Sequence, residues 1–396
     1  MNLRSLIAVP LLAAALSVQA QAPGVPTAVA QVEPSFTPQT ALTAPIAFML
    51  DLGSGRVLFE RDANRRFMPA SLTKIMTAYV AFAMLEEGRL HPAQRFAISD
   101  TAFEKWRRVG STMFIARGQA VSVDELLRGI MTISANDGAI VLAEGAGGSV
   151  EAFVARMNAE AARLGMRDSR FGSPNGWPDA GATYTSARDL AVLTQAMLVR
   201  FPDQYRRYVG HPEMTFNGIR QENHIPLIGR VAGADGVKTG FTNEAGFGLV
   251  GSAERNGRRL VMVVAGYDRA WQRAKESRAF LEWGFAAWTA RPLFARDEIV
   301  AEARVQGGAR RGVPLAAPIA YFLTTPRGER MRGATLTLRY QGPLEAPIRK
   351  GAQVGSLRLT QPGQPPRDLP LIAAEGTDRA GPAARLRNGV FGLVGL

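Results

Sequence analysis

The sequence predicts an α+β fold in which helices flank an antiparallel sheet, followed by a smaller all-β C-terminal domain. Hairpin patterns occupy 46–62 and 246–267, at the two ends of a segment whose apolar residues otherwise recur at helical spacing. Consecutive strands joined by hairpins are antiparallel, so we expect a mixed antiparallel sheet covered by helices. Beyond Arg291, short β-branched stretches separated by Gly and Pro predict the second domain.

The individual elements follow from turn residues and apolar spacing. Gly53-Ser54-Gly55 marks the first hairpin turn, and Asn256-Gly257, which tolerates positive φ at both turn positions, marks the second. Apolar residues on one face of 72–83, ended by Gly88, predict a helix. Further helical patterns cover 121–134, 150–165, 187–200 and 269–288, and strand patterns cover 318–325, 334–340 and 353–360.

Length and composition predict an exported two-domain protein, since 396 residues exceed the usual size of one domain. Arg4, the apolar run 6–16 and the small residues Val18 and Ala20 form a secretory signal pattern. The predicted segments are a signal peptide at 1–20, a Pro-rich extended leader at 21–44, a helix-and-sheet domain at 45–290, an all-β domain at 291–375 and a tail at 376–396.

Charge and missing residue types limit the partners. Without cysteine there is no disulfide or thiolate metal site, and His91, His211 and His224 show no ligand spacing, so we expect no cofactor and no metal. The net charge of +13 favours anionic lipid or cell-wall polymer, while the export signal argues against nucleic acid. A generally solvated basic surface explains the charge equally well.

The tail has two interpretations. Leu386, Val390, Leu393 and Val394 recur at helical spacing, which suits a short amphipathic anchor on the membrane surface. Three glycines among them weaken any helix, so a frayed tail is equally compatible with the sequence.

Ser71 and Lys74 are three residues apart in a helical pattern and can meet on one face. A serine becomes a good nucleophile when a base removes its proton, and a lysine can be that base when its pKa is lowered. The chain has five lysines among its 47 basic residues, and the others are arginine. Lysine can lose its proton in a protein whereas arginine cannot, so a lysine at position 74 favours a role in proton transfer. A solvated pair remains the alternative on this evidence.

Two further fragments carry suitable chemistry. Lys238-Thr239-Gly240 precedes the second hairpin, where a lysine and a hydroxyl suit a substrate carboxylate and Gly240 lets a ligand lie close to the backbone; a simple turn is the alternative. Ser134 and Asn136 follow a helical run at a helix-to-loop corner, where they suit proton relay and amide binding. A capping serine followed by an Asn-Asp-Gly turn is the alternative there.

Together, S-x-x-K, S-x-N and K-T-G in this order resemble the motifs of penicillin-binding proteins and class A β-lactamases. Longer segments are similar to the low-molecular-mass D-alanyl-D-alanine carboxypeptidases, peptidase family S11, over about residues 45–375. These segments are "PASLTKIMTAYV", "GSTMFIARGQAVSVDELLRGIMTISANDGA", "NGWPDAGATYTSARDLAVL", "MTFNGIRQENH" and "DGVKTGFTNEAGF". The resemblance implies the penicillin-binding/β-lactamase-like form of the predicted fold.

The resemblance also implies roles for eight residues. Ser71 would be the acylated nucleophile, Lys74 its general base and Ser134 the relay to the leaving D-alanine. Asn136 would bind the substrate amide, and the substrate carboxylate would contact Lys238, Thr239 and Gly240, with the Lys238 charge lowering the Lys74 pKa. The backbone N–H groups of Ser71 and Phe241 would form the oxyanion hole. Two departures are Phe241, where some relatives have histidine, and a C-terminal tail shorter than the usual anchor.

The implied function is a serine-type DD-carboxypeptidase that removes the last D-alanine from peptidoglycan stem pentapeptides through an acyl-enzyme, with β-lactam antibiotics as covalent inhibitors. Such an enzyme would be periplasmic, with peripheral contact to lipid on the outer face of the inner membrane. A class A-like β-lactamase is one alternative, although no E-x-x-L-N string lies between Asn136 and Lys238. A non-catalytic penicillin-sensing or wall-binding module is the other.

Overall fold

The computed structural model describes residues 36–331 and 333–381, which fall into two compact units. The larger unit comprises Pro38–Leu52 and Arg56–Phe285, and the other contains Gly53–Gly55 and the described residues from Ala286 onward. The predicted signal peptide, most of the predicted leader and the anchor pattern beyond 381 lie outside the described residues.

The helices in the described part of the chain all fall in the larger unit. They are α1 (Pro38–Ala41), α2 (Lys74–Glu86), α3 (Asp100–Trp106), α4 (Val123–Thr132), α5 (Asn136–Gly147), α6 (Val150–Arg163), α7 (Ala187–Arg200), α8 (Pro202–Tyr208) and α9 (Ala270–Ala286), with a 3-10 helix at Ala70–Thr73.

The strands of the larger unit form one main sheet and two small two-stranded sheets, β3 with β4 and β5 with β6. They are β1 (Ile46–Asp51), β2 (Arg56–Arg61), β3 (Arg95–Ala97), β4 (Ala120–Ser122), β5 (Glu213–Phe216), β6 (Ile219–Glu222), β7 (Ala234–Thr242), β8 (Gly246–Arg255) and β9 (Arg258–Tyr267).

The main sheet has the order β2-β1-β9-β8-β7, and every neighbouring pair is antiparallel. This confirms the predicted sheet and both predicted hairpins. The β8–β9 turn has φ of 51° at Asn256 and 77° at Gly257, the positive values that a two-residue hairpin turn requires. Strand β7 forms one edge of the sheet, where it packs against the 3-10 helix that carries Ser71.

Helix α2 is the centre of the helical layer. Its residues from Lys74 to Met84 are all buried, and it packs against α4, α5, α6 and α7. The sequence predicts one apolar face here, whereas the structure buries every face, because the small and apolar residues of α2 surround the helix on all sides. A lysine at the start of such a helix is therefore removed from water.

Three predicted boundaries differ in the structure. The short helix α1 begins at Pro38, within the stretch predicted to be an extended leader, because Arg61 donates hydrogen bonds to the carbonyls of Leu42 (2.6 Å) and Ala44 (3.0 Å) and holds this segment on the domain. The helix predicted at 269–288 ends at Ala286, since Trp288 begins the next strand. The predicted helix-to-loop corner at Ser134 instead joins α4 to α5.

The second unit contains only strands as regular elements within its described residues, which confirms the predicted all-β domain. They are β10 (Trp288–Phe294), β11 (Ile299–Gln306), β12 (Gly312–Ala316), β13 (Tyr321–Pro326), β14 (Thr335–Arg339), β15 (Leu344–Glu345), β16 (Gln353–Thr360) and β17 (Arg367–Ala373). Six of them form a sheet of order β14-β16-β17-β12-β11-β15, and β10 pairs with β13. Alternate residues such as Leu357, Leu359, Leu369 and Leu371 are buried on one face.

Among residues 36–331 and 333–381, no single helix has the length and apolar character needed to cross a bilayer. One bent pair, α5 with α6 at 88°, meets the criterion by length and composition alone.

A buried ion pair joins β1, β9 and the end of α9. Arg258 Nε donates to Asp51 Oδ2 at 2.8 Å, and its Nη2 donates to the Gly284 carbonyl at 3.2 Å. The Asp51 side chain is fully buried, and that of Arg258 nearly so. Removing one partner leaves an uncompensated charge in the interior.

We therefore expect Asp51→Ala to lower the free energy of unfolding by about 3–5 kcal/mol, measured by urea denaturation. Glu213→Ala, which breaks the exposed ion pair with Arg220, is the control and should cost no more than about 1 kcal/mol. Equal effects of the two variants would contradict this account of the buried pair.

Candidate active site

The candidate nucleophile, Ser71, lies in the 3-10 helix just before α2, at the edge of β7. Two glycines allow this close approach. A Cβ added to Gly240 on β7 would lie 2.7 Å from the Pro69 carbonyl oxygen, and one added to Gly176 would overlap the Ala70 carbonyl. The space beside the Gly240 Cα is thus taken by the serine segment, so this glycine allows that segment to pack against β7.

The candidate base, Lys74, is fully buried, and its Nζ has three hydrogen-bond partners. These are Ser71 Oγ at 3.0 Å, Asn136 Oδ1 at 2.8 Å and the Asn175 carbonyl at 2.7 Å. Burial lowers the pKa of Lys74 well below its ordinary value, the positive charge of Lys238 lowers it further, and Asp137 opposes both. The sequence-based account named only Lys238, whereas burial is the larger cause.

Ser134 and Asn136 lie at the corner between α4 and α5. Ser134 has a left-handed backbone with φ of 65°, and its hydroxyl has no hydrogen-bond partner among the described residues. The Asn136 amide is engaged on both sides, because its Oδ1 accepts from Lys74 and its Nδ2 donates to the Val109 carbonyl at 2.9 Å. Asn136 is therefore hydrogen-bonded to the candidate base, Lys74, in addition to lying at the candidate site.

Asp137 is a buried residue that the sequence-based account treated only as part of a turn. Its carboxylate accepts backbone hydrogen bonds from Met113 (2.9 Å), Ile115 (3.3 Å) and Gly138 (2.8 Å). Burial nevertheless raises the pKa of this carboxyl group. Asp137 therefore holds the 113–115 segment through backbone hydrogen bonds, and among the described residues its carboxylate makes no hydrogen bond with Lys74.

The loop around Asn175 was also missed as part of the site. Its carbonyl accepts the shortest of the Lys74 hydrogen bonds, and the Pro174 carbonyl accepts one from Thr77 at 2.5 Å, so the loop is tied to α2. The available signal was the turn-forming Asn-Gly-Trp-Pro string, which contributed to the resemblance but to no predicted residue role.

Lys238 and Thr239 lie on the edge strand β7 and are both buried. Lys238 Nζ donates to the Thr239 carbonyl at 3.0 Å. Burial lowers the pKa of Lys238 to about 7, with a further contribution from the positive charge of Arg273. An anion arriving beside this lysine would raise its pKa again, so the pocket is suited to binding a carboxylate.

Phe241, near the end of β7, and Arg273, on α9, both contact the ring of Phe247 on β8. The Phe241 side chain is 48% exposed and stacks on Phe247 at 4.1 Å between ring centroids, and Arg273 lies over Phe247 at 5.6 Å. Burial lowers the pKa of Arg273 to about 10. Arg273 belongs to α9, far from β7 in sequence, and no motif indicated that it would adjoin the Lys238 pocket.

The described segments 36–331 and 333–381 contain no group of three or more His, Cys, Asp or Glu side chains placed to hold a metal ion.

Family models match both units of the chain. The D-alanyl-D-alanine carboxypeptidase model matches residues 31–269, and the model of the C-terminal domain of penicillin-binding protein 5 matches residues 288–379. The first match confirms the resemblance that the motifs indicated, and the second agrees with the all-β nature of the C-terminal part.

Individual relatives agree with these matches. The chain is 31% identical over 361 residues to D-alanyl-D-alanine carboxypeptidase DacF of Bacillus subtilis, covering 90% of this chain and 91% of that one. Among solved structures it is similar to penicillin-binding protein 5 of Haemophilus influenzae (TM-score 0.66, 31% identity, 85% and 98% coverage). It is also similar to penicillin-binding protein D2 of Listeria monocytogenes in a cefotaxime-bound form (TM-score 0.56, 29% identity, 61% and 97% coverage).

These matches extend over most of the chain and include the segments that hold Ser71, Lys74, Ser134, Asn136 and Lys238. The chain therefore belongs to the D-alanyl-D-alanine carboxypeptidase family, peptidase family S11.

Proposed function

We propose that the chain is a serine-type DD-carboxypeptidase that removes the terminal D-alanine from peptidoglycan stem pentapeptides, with Ser71 as the acylated nucleophile. The observation that carries the proposal is the buried Lys74 Nζ, 3.0 Å from Ser71 Oγ and lowered in pKa. A lysine that is readily neutral at this distance is a general base for the serine hydroxyl.

The hydrogen bonds of Lys74 suit that role. A neutral amine has two N–H donors and one lone pair. Asn136 Oδ1 and the Asn175 carbonyl are acceptors only, so they take the two N–H groups and direct the lone pair toward the Ser71 hydroxyl. Ser71 Oγ then attacks the carbonyl between the two D-alanines while its proton passes to Lys74. The backbone N–H groups of Ser71 and Phe241 would stabilise the developing oxyanion.

The remaining residues would bind and release the leaving D-alanine. Its carboxylate would contact Lys238, Thr239 and Gly240, and its negative charge would favour protonated Lys238. Ser134, whose hydroxyl lacks a protein partner within the described residues, would pass a proton to the departing amine. Asn136 would hold the amide on the acyl side. Water then hydrolyses the ester on Ser71 and returns the free enzyme.

The same nucleophile would react with β-lactams. The relative from Listeria monocytogenes is described in a cefotaxime-bound form, and in this chain Ser71 lies beside a lysine whose pKa is lowered by burial. We therefore propose that β-lactams acylate Ser71 and inhibit the enzyme.

The two alternative functions lack supporting geometry. A class A-like β-lactamase would need a carboxylate to activate the deacylating water, whereas the loop beside Lys74 offers the Asn175 carbonyl, and the Asp137 carboxylate is held by backbone N–H groups. A non-catalytic module would have no use for a buried lysine directed at a serine.

The proposed function also implies a cellular location for the protein and limits for its segments. The signal pattern at 1–20 supports export to the periplasm, and the amphipathic pattern in 376–396 supports peripheral contact with lipid of the inner membrane. The proposed segments stay a leader at 21–44, with helix α1 near its end, a peptidase domain at 45–290 and a β domain at 291–375.

Ser71→Ala is expected to abolish D-alanine release from a stem pentapeptide and covalent labelling by a fluorescent penicillin, because it removes the nucleophile. Release is measured by an enzyme-coupled D-alanine assay and labelling by gel fluorescence. Ser356→Ala, in the β domain, is the matched control and should retain both. D-Alanine release by Ser71→Ala at the wild-type rate would refute the proposed mechanism.

The acylation rate is expected to rise with pH, because only neutral Lys74 accepts the serine proton. Its pKa is depressed, so the midpoint of this rise should lie well below 10.5, measured by stopped-flow acylation with a chromogenic β-lactam. Lys238→Gln removes a positive charge and should move the midpoint to higher pH. Lys74→Arg, which cannot release a proton, should slow acylation by about 10²–10⁴-fold at every pH. A wild-type rate that does not change with pH would contradict Lys74 as the base.

A further inference from the structure

Strand β7 contains a β-bulge just before the segment that carries Lys238. Ala234 and Gly236 lie opposite consecutive residues of β8, so β7 has one residue more than its neighbour over this step. The additional residue is Asp235, and the pairing from Gly236 onward is regular. A bulge of this kind changes the direction of the side chains that follow it.

The bulge determines the face of the sheet toward which Lys238 points. A Cβ added to Gly236 would lie 2.5 Å from the hydroxyl oxygen of Tyr205 on α8. One added to Gly240 would lie 2.7 Å from the Pro69 carbonyl oxygen, next to the serine segment. Alternate residues of a strand share a face, so Lys238, which lies between these glycines, points to the same side. With one residue fewer in β7, the lysine would point to the opposite side.

Two side chains and one close backbone contact hold the bulged residue. Arg259 Nη1 donates to the two carboxylate oxygens of Asp235, at 3.0 Å for Oδ1 and 2.7 Å for Oδ2. The Tyr205 hydroxyl donates to Asp235 Oδ1 at 3.2 Å. After α8, Gly210 comes so close that an added Cβ would overlap the Asp235 carbonyl oxygen. The bulge is therefore fixed from the sheet and from the helical layer.

Arg259 is itself held in place by β8. It belongs to β9, the central strand of the main sheet. Its Nη1 also donates to Ser252 Oγ at 2.8 Å, and its Nε donates to Glu254 Oε2 at 2.9 Å. The guanidinium thus connects β9, β8 and β7 at the bulge, and its side chain is only 11% exposed. A pair shielded from solvent in this way constrains its partners more than a surface ion pair does.

The clamp acts on Lys238 through the backbone. Gly236 and Val237 alone separate Asp235 from Lys238, so a change of conformation at the bulge shifts the segment that carries the lysine. The amine would then move away from the substrate carboxylate and from Lys74. Displacing a group that positions the substrate by about 1 Å can cost roughly 10²-fold in rate.

We propose that Asp235 is a positioning residue, which together with Arg259 and Tyr205 fixes the β7 bulge and thereby directs Lys238 toward the carboxylate of the leaving D-alanine. The inference rests on the proposed carboxypeptidase function and adds to it residues that act through Lys238.

The first test is steady-state kinetics of Asp235→Ala with a peptide that ends in D-Ala-D-Ala. KM should rise by about 10-fold, because the carboxylate contact is misplaced, whereas kcat measured above the acylation midpoint should change by less than about 2-fold. Asp235→Asn keeps an acceptor for the Tyr205 hydroxyl and should restore part of the affinity. Tyr205→Phe removes one hydrogen bond to the bulge and should raise KM by a smaller factor.

The pH dependence of acylation separates positioning from a general loss of structure. Fewer folded molecules would lower the amplitude of acylation equally at every pH. Lys74 is influenced by the charges of Lys238 and Asp137, so displacing Lys238 raises the pKa of Lys74. Asp235→Ala should therefore move the midpoint to higher pH, as Lys238→Gln does. Asp235→Ala added to Lys238→Gln should cause no further shift, because Asp235 acts through Lys238.

Glu282→Ala is the matched control, because Glu282 also makes two hydrogen bonds with an arginine of the same sheet, Arg255 of β8. This control should change neither KM nor the midpoint. Wild-type values of both in folded Asp235→Ala, or in Tyr205→Phe if the first variant does not fold, would overturn the positioning role. A further midpoint shift in the double variant would also overturn it. A wild type that neither releases D-alanine nor binds a fluorescent penicillin would instead overturn the proposed function.

Discussion

The site depends on the burial of one amine. Lys74 Nζ connects the nucleophile segment, the α4–α5 corner and the Asn175 loop through three hydrogen bonds, and it is the residue that these segments have in common. Removing a lysine from water is unfavourable for its charged form, so the same packing that completes the helical layer also produces a base. Stability and reactivity therefore have one physical origin here, the desolvation of α2.

Close backbone approaches make this burial possible. Gly240 lets the serine segment lie against β7, and Gly176 lets the Asn175 loop lie against the carbonyl of Ala70. At both positions a side chain would force the backbones apart and lengthen the distances around Lys74. The glycines therefore control the geometry of the site although neither supplies a chemical group to it.

The sequence predicted best those features that depend on the identity of side chains and of turn-forming residues. Ser71, Lys74 and Lys238 could be predicted because their spacing and the scarcity of lysine are visible, and both hairpins of the sheet because Gly and Asn mark their turns. The Asn175 carbonyl could not be predicted, because every residue has a backbone oxygen and the sequence does not show which of them contacts the site. Arg273 reaches the pocket through tertiary packing of α9, and helix α1 is held by Arg61, so local patterns predicted neither contact.

The partners of Lys74 also bear on what happens after it takes the serine proton. As an ammonium it has three donors instead of two, and the third is directed at the oxygen of Ser71, now part of the ester. Asn136 and Asn175 keep the hydrogen bonds that they already accept. Both protonation states thus use the same three contacts, so the proton can move forward and back over the catalytic cycle with little reorganisation of the surrounding dipoles.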